Sequence, residues 1–184
     1  MLASSTYKII LGGEGGVGKT TMLYRYVEGK FLEDTKMTIG VEIMNKSLKI
    51  NDGRICDLQL WDFGGQERFR FFQDSFVLGA SGAFLMFDLT TLFSFNKLRN
   101  WIEVVRKYDP TLPVVLLGGK CDLKNHSVKE EYILDFMKEN NIDQYLNVSS
   151  KTGSNVEEAF QILVARIMEY KSLPRISPKI MDVV

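Results

Sequence analysis

The chain has 184 residues, enough for one domain with a real core that does not depend on disulfides. Acidic and basic residues balance at 23 each, so the chain lacks the basic excess that non-specific nucleic-acid binding needs, and no nucleic-acid partner is expected. The first residues show no charged segment followed by an apolar one, so no signal peptide is read. The longest apolar stretch, 76–87, is broken by Gly79, Ser81 and Gly82 and falls short of the ~20 residues a bilayer span requires.

Residues 7–11 read as a short strand ending in glycines, and 19–28 as a helix. Residues 41–50 and 54–61 alternate apolar and polar side chains around Asn51-Asp52-Gly53. Asp-Gly is a strong tight-turn signal, so these two strands are expected to form an antiparallel hairpin. Residues 83–87 and 114–117 are continuous apolar runs, as central strands covered on both faces require. Between them, 93–108 carries apolar residues at helical spacing. Residues 128–140 predict another helix, with Ser127 as its N-cap, and 145–148 a last strand. Residues 156–170 predict a final amphipathic helix, entered through Ser154-Asn155. Pro174 and Pro178 then break the pattern, so 1–171 reads as one domain and 172–184 as a loose tail.

This alternation calls for an α/β fold: a six-stranded, mostly parallel sheet with one antiparallel strand near an edge and helices on both faces. Ligands of such sheets sit at the carboxyl ends of the strands. Cys56 and Cys121 lie in or beside apolar runs and read as reduced thiols of a cytoplasmic protein rather than as a zinc site. The single histidine, His126, reads as a solvated bystander.

Gly13-Glu14-Gly15-Gly16-Val17-Gly18-Lys19-Thr20 matches G-x-x-x-x-G-K-[ST] between a strand and a helix. Its glycines let backbone N–H groups turn inward around phosphate oxygens, and the helix N-terminus adds a favourable dipole. Lys19 would reach the terminal phosphates and Thr20 would offer its hydroxyl to Mg²⁺. Glu14 is unusual in a loop that cradles anions, and its side chain is expected to point away. Asp62-Phe63-Gly64-Gly65-Gln66-Glu67 follows the strand ending at Trp61. Asp62 can hold Mg²⁺ through a water, Gly65 can present its N–H to a γ-phosphate, and Gln66 can orient an attacking water. On its own this second motif is also compatible with a plain glycine turn.

The phosphate loop, Thr38-Ile39-Gly40-Val41-Glu42, residues 61–70, Lys120-Cys121-Asp122 and Ser149-Ser150-Lys151 occur in the order and spacing of small GTPases of the Ras superfamily. The resemblance spans residues 7–170, and Thr38 to Glu42 and Gln66 to Arg70 look like the Rab versions. Phe63-Gly64-Gly65 departs from the usual Rab Thr-Ala-Gly, and its double glycine is similar to the Arf branch. Residues 76–80 also lack the tyrosines that Rabs carry.

The resemblance implies a P-loop NTPase that binds GTP or GDP with Mg²⁺. Its expected nucleotide contacts are Glu14, Gly15, Gly16, Val17, Gly18, Lys19, Thr20, Thr21, Phe31, Thr38, Gly65, Lys120, Asp122, Leu123, Ser149, Ser150 and Lys151. The metal set would be Thr20, Thr38 and Asp62, and the catalytic set Gln66, Lys19 and Gly65. Thr38 would serve as the first-switch threonine and Phe31 as an aromatic beside the base, although each by itself also fits an ordinary strand or core residue.

Asp122 would accept the guanine N1–H and 2-amino groups that adenine does not offer, with the Lys120 stem over the ring. The backbone N–H of Ser150 would reach the guanine O6. The family motif is Asn-Lys-x-Asp, and here Gly119 stands in place of the asparagine, which helps contact the base and ties its loop to the phosphate loop. Losing one or two hydrogen bonds costs ~1–3 kcal/mol, or roughly one to two decades of affinity.

Catalysis would rest on positioning and charge neutralisation, with slow turnover because no motif supplies an arginine finger in cis. The expected output is a monomeric switch in trafficking or signalling, read by effectors and served by an exchange factor and an activating protein. Phe63, Phe69, Phe71, Phe72 and Phe76 crowd the second switch, either as core or as an aromatic docking patch.

Two other readings stand beside this one. A non-hydrolysing pseudo-GTPase is favoured by Gly119 and Phe63 and opposed by Lys19, Thr20, Asp62 and Gln66. A P-loop ATPase is opposed by Asp122 and the Ser149 loop. The sequence ends Met181-Asp182-Val183-Val184 without a prenylatable cysteine, and Leu2 excludes myristoylation, so no lipid anchor and at most peripheral membrane contact are expected. A truncated Rab, or a prokaryotic Ras-like protein, would carry such a tail.

Overall fold

The computed structural model describes residues 5–33, 37–50, 53–65 and 75–172. In these residues the strands are β1 (Ser5–Gly12), β2 (Val41–Lys49), β3 (Ile55–Phe63), β4 (Gly82–Asp88), β5 (Val114–Gly119) and β6 (Gln144–Asn147). They form a six-stranded sheet in the order β2-β3-β1-β4-β5-β6. Only β2 runs antiparallel, against β3 at the sheet edge, with Ile43 opposite Trp61. The hairpin thus forms as expected. Gly53 turns the chain at φ 84° and donates its N–H to Ile50, while Asn51 and Asp52 lie outside the described residues.

The helices are α1 (Lys19–Glu28), α2 (Leu92–Asn96), α3 (Leu98–Val105), α4 (Glu130–Glu139) and α5 (Val156–Ser172). Period-2 alternation in the central strands sends side chains to both faces. Ile9, Leu11, Phe84 and Met86 meet α1 and α5 on one face. Ile10, Leu85, Phe87 and Leu116 meet α2, α3 and α4 on the other. The helices therefore cover both sides, and the carboxyl ends of the strands are left to loops.

Two expectations are corrected. The single helix read over 93–108 is two, because Lys97 breaks the run and its N–H is shared between the carbonyls of Phe93 and Phe95. Ser127 does not cap α4, which begins at Glu130. The Ser127 and Val128 N–H groups instead both reach the Leu89 carbonyl, tying this loop to the end of β4, and Glu130 and Glu131 supply the negative charge that favours the α4 N-terminus. No described helix is long and apolar enough to cross a membrane. Both cysteines are free; Cys56 is buried and Cys121 half-buried.

The α1–α5 face is locked by aromatics. The rings of Tyr26 and Phe160 stack at 3.6 Å, and Phe84 meets Phe160 edge-on at 4.9 Å. Phe160 is fully buried. Phe160→Ala is expected to lower the free energy of unfolding by ~3–5 kcal/mol, read from urea denaturation followed by circular dichroism.

Candidate functional site

The loop from Gly13 to Gly18 leaves β1 and enters α1 without a side-chain cap. Gly18 takes the N-cap position at φ 107°, which L side chains rarely adopt, and Gly13 sits at φ 147° with the Met86 carbonyl oxygen where its Cβ would be. The loop backbone can therefore close on itself around the Lys19 side chain. The Lys19 ammonium donates to the carbonyls of Gly13 at 2.7 Å and Glu14 at 3.0 Å, and only 5% of the residue is exposed. Burial pushes its pKa down, opposed by the carboxylates of Asp62 and Glu14.

Asp62, at the end of β3, is the second buried charge. Thr20 donates to Asp62 Oδ2, Thr38 Oγ1 lies 3.2 Å from the same oxygen, and the two threonine hydroxyls are 2.7 Å apart. The other carboxylate oxygen, Asp62 Oδ1, is buried without a hydrogen-bond partner among the described residues. Burial raises the Asp62 pKa; Lys19 and the two hydroxyls work the other way. Three hard oxygen donors with one net negative charge and an unsatisfied buried oxygen are the donor set a Mg²⁺ ion takes. The residues expected as metal ligands thus converge.

Gly64 and Gly65 run against neighbouring backbone. A Cβ on Gly64 would lie 2.5 Å from the Thr38 carbonyl oxygen, and one on Gly65 would fall on the backbone of Glu14 and Gly15. Gly64 also donates its N–H to Gly40 at 2.8 Å. The double glycine lets β3, the phosphate loop and the 37–40 segment meet backbone to backbone. Phe63 is fully buried core, and Phe76 is half-buried against Trp61 at 5.8 Å. Gln66, Phe69, Phe71 and Phe72 lie outside the described residues.

A cavity of about 360 Å³ opens over these elements, within the size range of small-molecule sites. Gly15 to Thr21 line it from the phosphate loop and the start of α1, Phe31 and Thr38 from the segment after α1, and Gly65 from the turn after β3. Lys120, Asp122, Leu123, Ser150 and Lys151 line it from the loops after β5 and β6. Two expected contacts are placed differently. Glu14 does not line the cavity, and its carboxylate instead accepts the Gly15 N–H at 3.0 Å. Ser149 is fully buried behind it and donates to Asp122 Oδ1 at 2.6 Å, so it orients the carboxylate.

Sequence reasoning missed two positioning residues. Arg25, on the last turn of α1, donates to the carbonyls of Ser150 and Lys151, each at 2.7 Å, and of Gly29 at 3.0 Å. It pins the Ser149 loop to the helix that starts at the phosphate loop. A basic residue in a last helical turn reads by itself as a dipole partner, so nothing in the sequence distinguished it. Asp88, at the end of β4, pairs with the Lys120 ammonium at 2.6 Å and accepts from the Thr90 N–H and hydroxyl. It holds Lys120, whose φ of 60° is unusual for a non-glycine residue, over the cavity.

A model of the Ras family matches residues 8–169. The chain belongs to the Ras family. Among its relatives are the Ras-related protein Rab-7b of Bos taurus, 41% identical over 171 residues, which span 90% of this chain and 84% of the relative. The Ras-related protein Rab-9A of Rattus norvegicus is 40% identical over 170 residues, again 90% and 84% of the two chains. The GTP-binding protein ypt4 of Schizosaccharomyces pombe is 36% identical over 177 residues, 94% of this chain and 76% of that protein. The chain is thus a Rab-like small GTPase, and the parallel sheet with its single antiparallel edge strand is the fold of that family.

In this GTPase, Arg25→Ala removes three hydrogen bonds, two of them exposed to solvent, for a net loss of ~1.5–3 kcal/mol. It is expected to speed release of a fluorescent GDP analogue by roughly ten- to a hundredfold. Asp88 generates a pH prediction. Burial alone would raise its pKa, but Lys120 and Thr90 outweigh burial and hold it below the ordinary 3.8. A carboxyl with a lowered folded-state pKa adds stability that is complete above its unfolded value and is lost as pH falls through the folded one. The stability gap between the wild type and Asp88→Ala should therefore be constant near neutrality and shrink below about pH 4, measured by urea denaturation at each pH.

Proposed function

We propose that this chain is a guanine-nucleotide switch that binds GTP and GDP with Mg²⁺, hydrolyses GTP slowly, and controls effector binding in trafficking or signalling through two switch loops. One observation carries the reading. The hydroxyl of Thr38, which stands 18 residues beyond Thr20 in the chain, reaches both Thr20 and Asp62 beside the buried Lys19. A loop that closes on the phosphate end of the cavity through one hydroxyl can let go when the terminal phosphate leaves.

Thr20, Thr38 and Asp62 would hold the metal, directly or through water. When bound, Mg²⁺ neutralises charge on the β- and γ-phosphate oxygens. Lys19 exchanges its carbonyl partners for phosphate oxygens, and the inward N–H groups of the phosphate loop take the rest of the charge. Gly65 presents its backbone N–H to the terminal phosphate. Gln66 orients the attacking water, a role that rests on the motif alone. Asp122, oriented by Ser149, accepts from the guanine edge, and Lys120 lies over the ring. Gly15 leaves room for Gln66 and for an arginine brought by an activating protein.

Nucleotide-free protein titrated with fluorescent GDP and ADP should bind GDP tightly, more so with Mg²⁺, and exclude ADP; equal binding of the two would contradict the Asp122 assignment. Gln66→Leu should cut single-turnover GTP hydrolysis by about tenfold or more while leaving GTP affinity within about twofold.

A further inference from the structure

Gly119 ends β5 at the place where an asparagine is expected. A Cβ there would lie 2.6 Å from Met86 Cε, 3.1 Å from the Val17 carbonyl oxygen and 3.2 Å from that of Phe87. A contact of 2.6 Å is closer than real Cβ atoms approach, so a side chain at 119 would push the flexible Met86 methyl out of the space it fills, while the two carbonyl oxygens leave little slack. The same methyl lies 3.5 Å from where a Cβ on Gly18 would stand, so it also reaches the neighbourhood of the phosphate loop. Met86 sits on β4 between β1 and β5, is 1% exposed, and lines the cavity. One side chain therefore spans from the last glycine of the phosphate loop to the first residue of the base loop.

We propose that Met86 is the positioning residue that couples the base loop to the phosphate loop in this GTPase, and that it sets how long the nucleotide stays bound. Its thioether occupies the volume an asparagine side chain would need and replaces a hydrogen-bonded tie with a packed one. An unbranched, polarisable side chain suits an irregular gap between two backbones. Packing contacts lack the direction of hydrogen bonds, so the tie tolerates small sliding of the two loops and is lost as soon as the chain is shortened. Residues 86 and 119 then compete for one space: a side chain at 119 displaces the Met86 methyl from it, and a shorter side chain at 86 leaves it open. The proposal rests on the guanine-nucleotide reading of the cavity.

A double-mutant cycle on GDP release tests it. Full-length wild type, Met86→Ala, Gly119→Asn and the double variant are loaded with a fluorescent GDP analogue, and release is timed by displacement with unlabelled GDP. Melting is followed in parallel with and without nucleotide. Met86→Ala is expected to release GDP about tenfold faster, and Gly119→Asn alone to release faster or load poorly. The double variant is expected to release more slowly than either single variant. Singles whose effects simply multiply in the double, or a Met86→Ala with wild-type release, would overturn the coupling. A Met86 that serves only the core would lower melting equally with and without nucleotide and leave release unchanged, which also overturns it. If Met86→Ala does not fold, Met86→Val removes the contacting methyl with a smaller cavity and is read in the same cycle. Wild type that loads GDP and excludes ADP, with multiplicative singles, defeats this inference alone; wild type that loads neither nucleotide defeats the guanine reading with it.

Discussion

The Lys19 ammonium is the charge around which the site is arranged. It is almost wholly removed from water, and an ammonium in that position is costly unless partners surround it. The loop supplies two carbonyl oxygens, and Asp62 supplies the nearest opposite charge. Those carbonyls can reach Lys19 only because Gly13 and Gly18 adopt conformations that side chains resist. The glycines, the lysine and the carboxylate are thus one unit. Each would be unfavourable without the others, and together they present a buried positive charge to whatever anion fills the cavity.

The same economy of side chains governs the surrounding loops. Gly64 and Gly65 let β3 and the 37–40 segment approach the phosphate loop at backbone distance. On the base side, each functional group is held by another that does not face the cavity. Ser149 holds Asp122, Asp88 holds Lys120, and Arg25 holds the carbonyls of Ser150 and Lys151. Arg25 stands on the helix that begins at the phosphate loop, so the two halves of the site share a rigid element. In the proposed nucleotide complex, residence then depends on how these loops are tied to one another.

Much of this was legible in the sequence because it rests on patterns with few alternatives. Strand and helix periods predicted six strands, the edge hairpin and the covered central strands, and the glycine-lysine-threonine motif placed the phosphate end. What was not legible depends on contacts between residues distant in sequence. Arg25, Asp88 and Met86 have no local signature, since each acts on a loop that only the sheet order brings near. Ser127 has the chemistry of a cap, but the Leu89 carbonyl claims its N–H, a tertiary contact that overrides a local preference. Gly119 read as a loss from the sequence alone. Beside Met86 it becomes one member of a packed pair, because a missing side chain can be judged only with its neighbours in view.

The proposed switch rests on the Thr38 hydroxyl, half-buried on a segment whose flanking residues Met37 and Ile39 are exposed. Little apolar burial holds this segment in place, and under the proposed function its position follows the ligand at the Asp62 end of the cavity. Amide hydrogen exchange at residues 37–40 tests this most directly, comparing the protein with Mg²⁺ and a non-hydrolysable GTP analogue against the protein with Mg²⁺ and GDP. Slow exchange in the triphosphate complex and fast exchange in the diphosphate complex are predicted. Equal exchange in the two would contradict the switch.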